Sequence, residues 1–325
     1  MNVGLVGGGN ISDTHARAAH AAGLRVAGVF GDNRAKARQL ADRHGAAAFD
    51  SLDDLLSDRS LELVVIGSPS GLHAEHATAA ARARRHILVE KPLDISTPRV
   101  DALLAEVADA GVVLGVIFQD RLKPGVVAMK RQIDAGDLGT PLLATGEVKW
   151  FRPPEYYAGS RWRGTWALDG GGALMNQGIH TVDLLLHLLG PVARVSGLVA
   201  TRFHAIEAED TATAMLEFEN GALGTLDVTT AAPPGRPRRL QVVGSAGSLV
   251  LEGDHLSGIG AGSVENASSP VVTDVSAHVR IIEDFVAAVR NRRPPVCGGR
   301  DGRRSVELVE AVYRSAREIR PIDLS

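Results

Sequence analysis

Three groups of residues in this chain have types and spacings that could do chemistry. The first is Val6-Gly7-Gly8-Gly9-Asn10-Ile11-Ser12, which follows an apolar run from Val3 to Val6 and precedes a helical pattern carrying His15, Ala18, Ala19 and Ala22. Strand, glycine turn and helix in that order form a cradle for the pyrophosphate of a dinucleotide. Gly7 permits the tight turn, Gly9 lets backbone approach phosphate, and the N–H groups and dipole of the helix that follows face the anion. Ser12 holds the fingerprint position where Gly or Ala is usual, and it is small enough for close helix–strand packing. The second is Lys91, after the apolar run His86 to Val89 and before Pro92. A lysine at the carboxyl edge of a sheet can donate a hydrogen bond to a substrate hydroxyl or lower the pKa of a neighbour; a solvated loop lysine is the alternative. The third is Asn176, His180, Asp183 and His187, spaced i, i+4, i+7, i+11 within Ala173–Leu189. On one helix these four share a face. Such a stripe suits catalysis, a plain exposed face, or, through His180, Asp183 and His187, a metal. The upstream dinucleotide site offers chemistry without a metal, so none is expected.

The elements that must position these residues alternate through the first third. Val3–Val6, Val26–Phe30, Leu63–Gly67, His86–Val89 and Val112–Phe118 read as strands; Arg34–His44, His73–Ala83 and Val100–Ala110 read as helices. This α/β alternation predicts a doubly wound parallel sheet of Rossmann type, with ligand beyond the carboxyl ends of the strands. Gly31-Asp32, Ser68-Pro69-Ser70, Glu90-Lys91-Pro92 and Gln119-Asp120-Arg121 all fall at such ends. The second strand of this fold normally ends in an acid that binds the adenosine ribose. Here Gly31 takes the usual position and Asp32 follows. Asp32 would repel a ribose phosphate and favour NAD, Arg34 and Lys36 would attract one and favour NADP, and Asp32 could equally cap the next helix.

After Arg121 the pattern changes. A helix over Gly125–Ala135 leads to segments Leu142–Trp150, Val195–Phe203, Thr211–Phe218, Leu223–Thr230, Arg239–Val243 and Ser248–Leu251, with Asn220-Gly221 as a hairpin turn. Helices over Val279–Asn291 and Arg303–Arg317 follow. The expected whole is a dinucleotide-binding domain, 1–119, followed by an α+β domain, 120–325, with an open, mostly antiparallel sheet. The Gly/Ser-rich stretch Ser257–Ser269 reads as a mobile loop. All three tryptophans lie in Trp150-Phe151-Arg152-Pro153-Pro154-Glu155-Tyr156-Tyr157 and Arg161-Trp162-Arg163-Gly164-Thr165-Trp166. Aromatic faces and Arg donors there suit a polyhydroxylated ring, particularly one with a carboxylate or phosphate.

Composition bounds the partners. The 325 residues are 45% hydrophobic and 22% charged, with net charge −3, which points away from nucleic acid and anionic membrane surfaces. The single cysteine, Cys297, excludes an intrachain disulfide. No apolar run has membrane-spanning length and no signal peptide precedes the first strand, so a cytoplasmic protein is expected.

Taken together, these residues resemble the Gfo/Idh/MocA family of nicotinamide-dependent oxidoreductases, which act largely on sugars and cyclitols. The resemblance runs through Gly7-x-Gly9 with His15, Ser68-Pro69-Ser70-Gly71-Leu72-His73, Glu90-Lys91-Pro92, Gly170-Gly171-Gly172, Asn176-x-x-x-His180-x-x-Asp183 and Glu209-Asp210-Thr211. It implies that Lys91 hydrogen-bonds the reacting oxygen, that His180 is the acid/base, and that Asp183 orients substrate or His180. Many members carry Asp where this chain has Asn176, which can bind a hydroxyl but not act as a base. The implied substrate contacts are Asn176, Trp150, Arg152, Tyr157, Arg163 and Trp166. The implied cofactor contacts are Gly7, Gly9, Asn10, Ile11, Asp32, Ser68, Pro69, His73, Glu90, Lys91 and Gln119, for NAD or NADP with a lean to NAD. A homodimer or homotetramer is expected by analogy. The rival reading is a non-catalytic dinucleotide- or sugar-sensing regulator on the same fold.

Overall fold

The computed structural model describes residues 1–258 and 274–324. The chain forms two compact units, Met1–Gln119 with Thr273–Arg303, and Asp120–Val272 with Arg304–Ser325. The first unit opens with β1 (Asn2–Val6), α1 (Asn10–Ala21), β2 (Arg25–Phe30), α2 (Arg34–His44), β3 (Ala47–Ala48), α3 (Leu52–Ser57) and β4 (Leu61–Ile66). It continues with α4 (His73–Arg82), β5 (His86–Val89), α5 (Thr97–Ala110) and β6 (Leu114–Val116). Its strands pair in parallel in the order β3-β2-β1-β4-β5-β6. The order reverses between β1 and β4, so the carboxyl ends bearing the glycine loop and Ser68-Pro69 lie at the switch point where such sheets bind ligands. Leu63 to Ile66 is continuously apolar because β4 is central and covered on both faces. One start and one cap differ in this stretch from what the sequence suggests. Pro98 in the first turn carries α5 back to Thr97, and α2 is capped by Asn33, whose side chain accepts from Lys36 N, not by Asp32.

The second unit contains α6 (Pro124–Asp134), β7 (Pro141–Lys149), α7 (Glu155–Ala158), α8 (Ile179–Leu189), β8 (Val192–Ala200), β9 (Thr211–Phe218) and β10 (Leu223–Thr229). Then come β11 (Arg239–Gly244), β12 (Ser248–Glu252) and β13 (His255–Gly258). The chain closes with α9 (Ser276–Asn291), α10 (Gly299–Glu318) and β14 (Ile322–Asp323). The second sheet runs β13-β12-β11-β7-β10-β9-β8-β14, antiparallel except for β7 beside β10. Ala212, Ala214, Leu216 and Phe218 of β9 point inward in strict alternation. The buried face receives α8: a Cβ at Gly146 of β7 would stand 2.8 Å from the Thr181 methyl and 3.1 Å from Leu185. Asn220-Gly221 turns β9 into β10 as expected, with Gly221 at φ +87°.

Three expectations need correction. Ala173–Leu189 is not one α-helix; Ala173–Gly178 is a π-helical turn that feeds α8. Its wider winding takes Asn176 out of register with His180, so the four polar residues do not form a single α-helical stripe. The segment Thr273–Arg303 returns to the first unit, so residue 119 is only the first boundary; Phe285 of α9 packs on β6, where a Cβ at Gly115 would come within 2.6 Å of its ring. The expected loop Ser257–Ser269 begins as the end of β13, and residues 259–269 lie outside the described residues. Among the described residues no helix is long and apolar enough to cross a membrane.

Candidate active site

In the first unit the glycine loop is shaped by what a side chain would strike. Gly7 has φ +124°, and a Cβ there would lie 2.6 Å from Gly67 O; at Gly8 it would lie 2.9 Å from Ala37 N. At Gly9 nothing stands within 4 Å. Gly9 is also the N-cap of α1 and no side chain caps that helix, so its first-turn N–H groups at Asn10 and Ile11 open onto the space beside Gly9. Gly31 is buried against the same loop, with Asp32 exposed beside it.

Lys91 is set on a braced loop. Glu90 is buried; its Oε2 accepts from Lys91 N at 3.0 Å, and its Oε1 lies 3.1 Å from His15 Nε2. Burial pushes the Glu90 carboxyl up, but the His15 hydrogen bond and charge, with the Lys91 and His278 charges, hold it down at about 2. The His278 ring of α9 lies 5.8 Å from that of His15. Glu90 therefore adds stability above the ordinary carboxylate value of 4.5 and loses it as pH falls toward about 2. On the other side of Lys91, His73 ties two strand ends together, Nδ1 to Pro92 O at 2.6 Å and Nε2 to Ser68 O at 2.9 Å. Burial pushes His73 down, while both carbonyls favour N–H donors. Ser68 Oγ meets His76 Nδ1 at 2.9 Å. Gln119 follows β6, and its buried Oε1 has no hydrogen-bond partner.

In the second unit His180 leads α8 with Nδ1 3.8 Å from Asp120 Oδ2. Asp120 is buried and also takes Arg238 Nη1 at 2.6 Å and Lys123 Nζ at 3.2 Å. Burial opposes ionisation there, but Arg238, His180 and Lys123 hold the carboxyl far below its usual range. Asp183 is 1% exposed and bound by Arg121 at two points, Nε to Oδ2 at 2.8 Å and Nη2 to Oδ1 at 2.6 Å. The structure therefore gives His180 an acidic neighbour in Asp120 and gives Asp183 a structural ion pair. His187 is half-buried on α8. Among the described residues no three His, Cys, Asp or Glu side chains gather as metal ligands.

Asn176 donates to Asp169 Oδ1 at 2.6 Å and accepts from Gln177 Nε2 at 2.6 Å. Gln177 Nε2 also reaches Tyr156 Oη at 3.0 Å, and its Oε1 accepts from Arg152 at 2.9 Å. Arg152 lies over Trp150, and Arg163 over Tyr156. Asn176, Trp150, Arg152 and Arg163 are thus brought into one network. Tyr157 borders it through its ring alone, edge-on to Tyr156 at 5.0 Å, and Trp166 is not part of it. Tyr157 is buried on Thr230 Oγ1 at 2.9 Å, its phenol pushed up to about 12 by burial, and exposed Trp166 stands edge-on to Tyr313. Asp120, Arg238, Gln177 and Glu209 were not expected as site residues. Asp120 had a signal, its place at a strand end; Arg238, 118 residues away from it, had none.

Comparison with known proteins decides the class. Residues 1–118 match the oxidoreductase family with an NAD-binding Rossmann fold, and 126–250 match the Gfo/Idh/MocA C-terminal domain. This chain belongs to the Gfo/Idh/MocA family. Within the family it is 32% identical to the WlbA dehydrogenase of Bordetella pertussis, solved with NADH and UDP-GlcNAcA, with TM-score 0.92 over 100% of this chain and 98% of that one. It is 30% identical to the UDP-N-acetylglucosamine 3-dehydrogenase of Acidithiobacillus ferrooxidans over 94% of this chain and 93% of the relative. It is 25% identical to the myo-inositol 2-dehydrogenase of Thermotoga maritima over 100% and 98%. The first unit's own features fit the dinucleotide that the family binds: open space at Gly9, an uncapped helix start and the orphaned Gln119 Oε1.

Proposed function

We propose that this Gfo/Idh/MocA oxidoreductase interconverts a secondary alcohol and a ketone on a sugar, cyclitol or sugar derivative, with NAD as redox partner. The observation that carries the reading is His180 beside the buried Asp120 carboxylate, in a chain whose first unit presents an open glycine cradle. Gly7, Gly9, Asn10, Ile11, Asp32, Ser68, Pro69 and Gln119 hold the cofactor, and Glu90 and His73 brace the strand ends beside it. When bound, NAD supplies the ring that accepts hydride from the alcohol carbon and returns it in the reverse direction. The Lys91 ammonium donates to the reacting oxygen and favours its anionic form. Neutral His180 accepts the hydroxyl proton at an imidazole nitrogen and gives it back in reduction. The Asp120 carboxylate stabilises the imidazolium that results. Asp183 keeps Arg121 and α8 in place, so its contribution is positional. Asn176 offers a substrate hydroxyl an amide and takes no part in proton transfer.

The relatives carry dehydrogenase names, which supports turnover over the non-catalytic sensor. The test is NAD reduction, followed by absorbance, with sugars, cyclitols, sugar acids and nucleotide sugars. Reduction with one compound class is expected; NADH binding without reduction of NAD by any of them would support the sensor instead. We further propose that the exposed face of the second sheet, where Leu143 pairs with Leu223 and Met215 stands beside Thr225, joins copies of the chain.

A further inference from the structure

Two guanidinium groups in the second unit share one tyrosine. Arg152 lies 5.3 Å from the ring centres of both Trp150 and Tyr156, and Arg163 lies 4.3 Å from Tyr156 and 5.3 Å from Trp162. Each makes one hydrogen bond to a neutral acceptor, Arg152 Nη2 to Gln177 Oε1 at 2.9 Å and Arg163 Nη1 to Tyr156 O at 3.4 Å. The Nε of both is buried and has no hydrogen-bond partner. Among the described residues no carboxylate lies within ion-pair distance of either group. Asp169, the acid of the adjoining network, accepts from Gly164 N and Asn176 Nδ2.

Two like charges held against one tyrosine ring, with donors left over, are unfavourable unless something anionic completes them. A hydroxyl could accept a hydrogen bond but would leave the charge uncompensated. A planar guanidinium fixed on an aromatic face matches a carboxylate or phosphate edge. Gln177 ties Arg152 to the turn that leads directly into His180. We infer that Arg152 and Arg163 form an anion subsite, and that the substrate of this oxidoreductase is a sugar derivative carrying a carboxylate or a phosphate rather than a neutral polyol. The inference rests on the dehydrogenase reading for the word substrate, but the anion site itself does not.

Calorimetric titration of the NADH-loaded chain with glucose, glucuronate, glucose 6-phosphate and UDP-glucuronate tests it. At least one anionic probe is expected to bind about tenfold or more tightly than glucose, less so at high salt. Which probe it is separates a carboxylate from a phosphate. Arg152→Gln and Arg163→Gln should each remove most of that advantage with NADH affinity unchanged. Arg152→Lys and Arg163→Lys, which keep the charge but not the planar fork, should retain part of it. If glucose binds as tightly as every anionic probe, or if the advantage survives in both the Gln and the Lys variants, the subsite is refuted. Arg-dependent anion binding without NAD reduction by any probe or polyol would uphold the subsite and count against the dehydrogenase reading.

Discussion

His180 stands 3.8 Å from a carboxylate that Arg238 and Lys123 help keep ionised, and we propose that this pairing makes it an effective base. An imidazolium formed at His180 meets a negative charge already in place. His180→Asn keeps size and polarity but cannot take a proton. Turnover should fall about 10²- to 10⁴-fold with KM changed only a few-fold, measured as steady-state NAD reduction. An unchanged turnover would remove His180 from proton transfer. At this scale residue type and spacing singled out Lys91 and His180 as candidates among other readings, and the family resemblance supplied their proposed roles. Their supports were less legible. Arg121 meets Asp183 across 62 residues and Arg238 meets Asp120 across 118, and no local pattern announces such pairs. The family resemblance implies that Asp183 orients substrate or His180, and the chain also binds it through Arg121 from outside α8.

Elements hold these residues through backbone more than through side chains. At the glycine cradle a Cβ on Gly9 meets no protein atom, so Gly9→Val should fold normally yet lose NADH binding by about 100-fold or more, read by fluorescence titration. Normal binding would refute the cradle. At the other unit's glycine turn the reason for glycine is different. A Cβ on Gly172 would lie 1.9 Å from Glu209 O, because Glu209 is laid directly over the turn. Its carboxylate accepts from Gly172 N, Leu174 N and Tyr313 Oη, stapling the π turn ahead of α8. Burial pushes that carboxyl up to about 7 from 4.5, against these donors. A raised folded-state value adds stability below about pH 4.5 that is lost as pH climbs past about 7. Relative to Glu209→Gln, wild type should therefore lose up to about 3 kcal/mol between about pH 5 and about pH 8 in urea unfolding. A difference that stays flat over that range would contradict the assignment. The sequence placed most elements within a few residues, and His86–Val89, Arg34–His44 and Thr211–Phe218 without error. It could not reveal the π turn, since an apolar run with helical spacing reads the same whether or not one turn is widened by contacts such as Glu209's.

The whole molecule is two units whose chain crosses between them more than once. The alternation of strands and helices made the first unit readable, but the return of α9 was not, because an amphipathic helix does not say which sheet its apolar face will join. The second unit's outer sheet face leaves Leu198 67% and Met215 66% exposed on neighbouring strands. Burying such residues against a second copy would remove apolar surface from water. Sedimentation of wild type should show a dimer or larger, and Met215→Lys with Leu198→Lys should shift it to monomer; a monomeric wild type would contradict the proposal. The central claim, that Lys91 polarises the reacting oxygen of a CH–OH substrate, is tested most directly by Lys91→Met with two readouts on one preparation. NAD reduction with the preferred substrate should fall at least about 10³-fold while NADH affinity stays within a few-fold. Turnover at the wild-type rate with that affinity intact would contradict the mechanism.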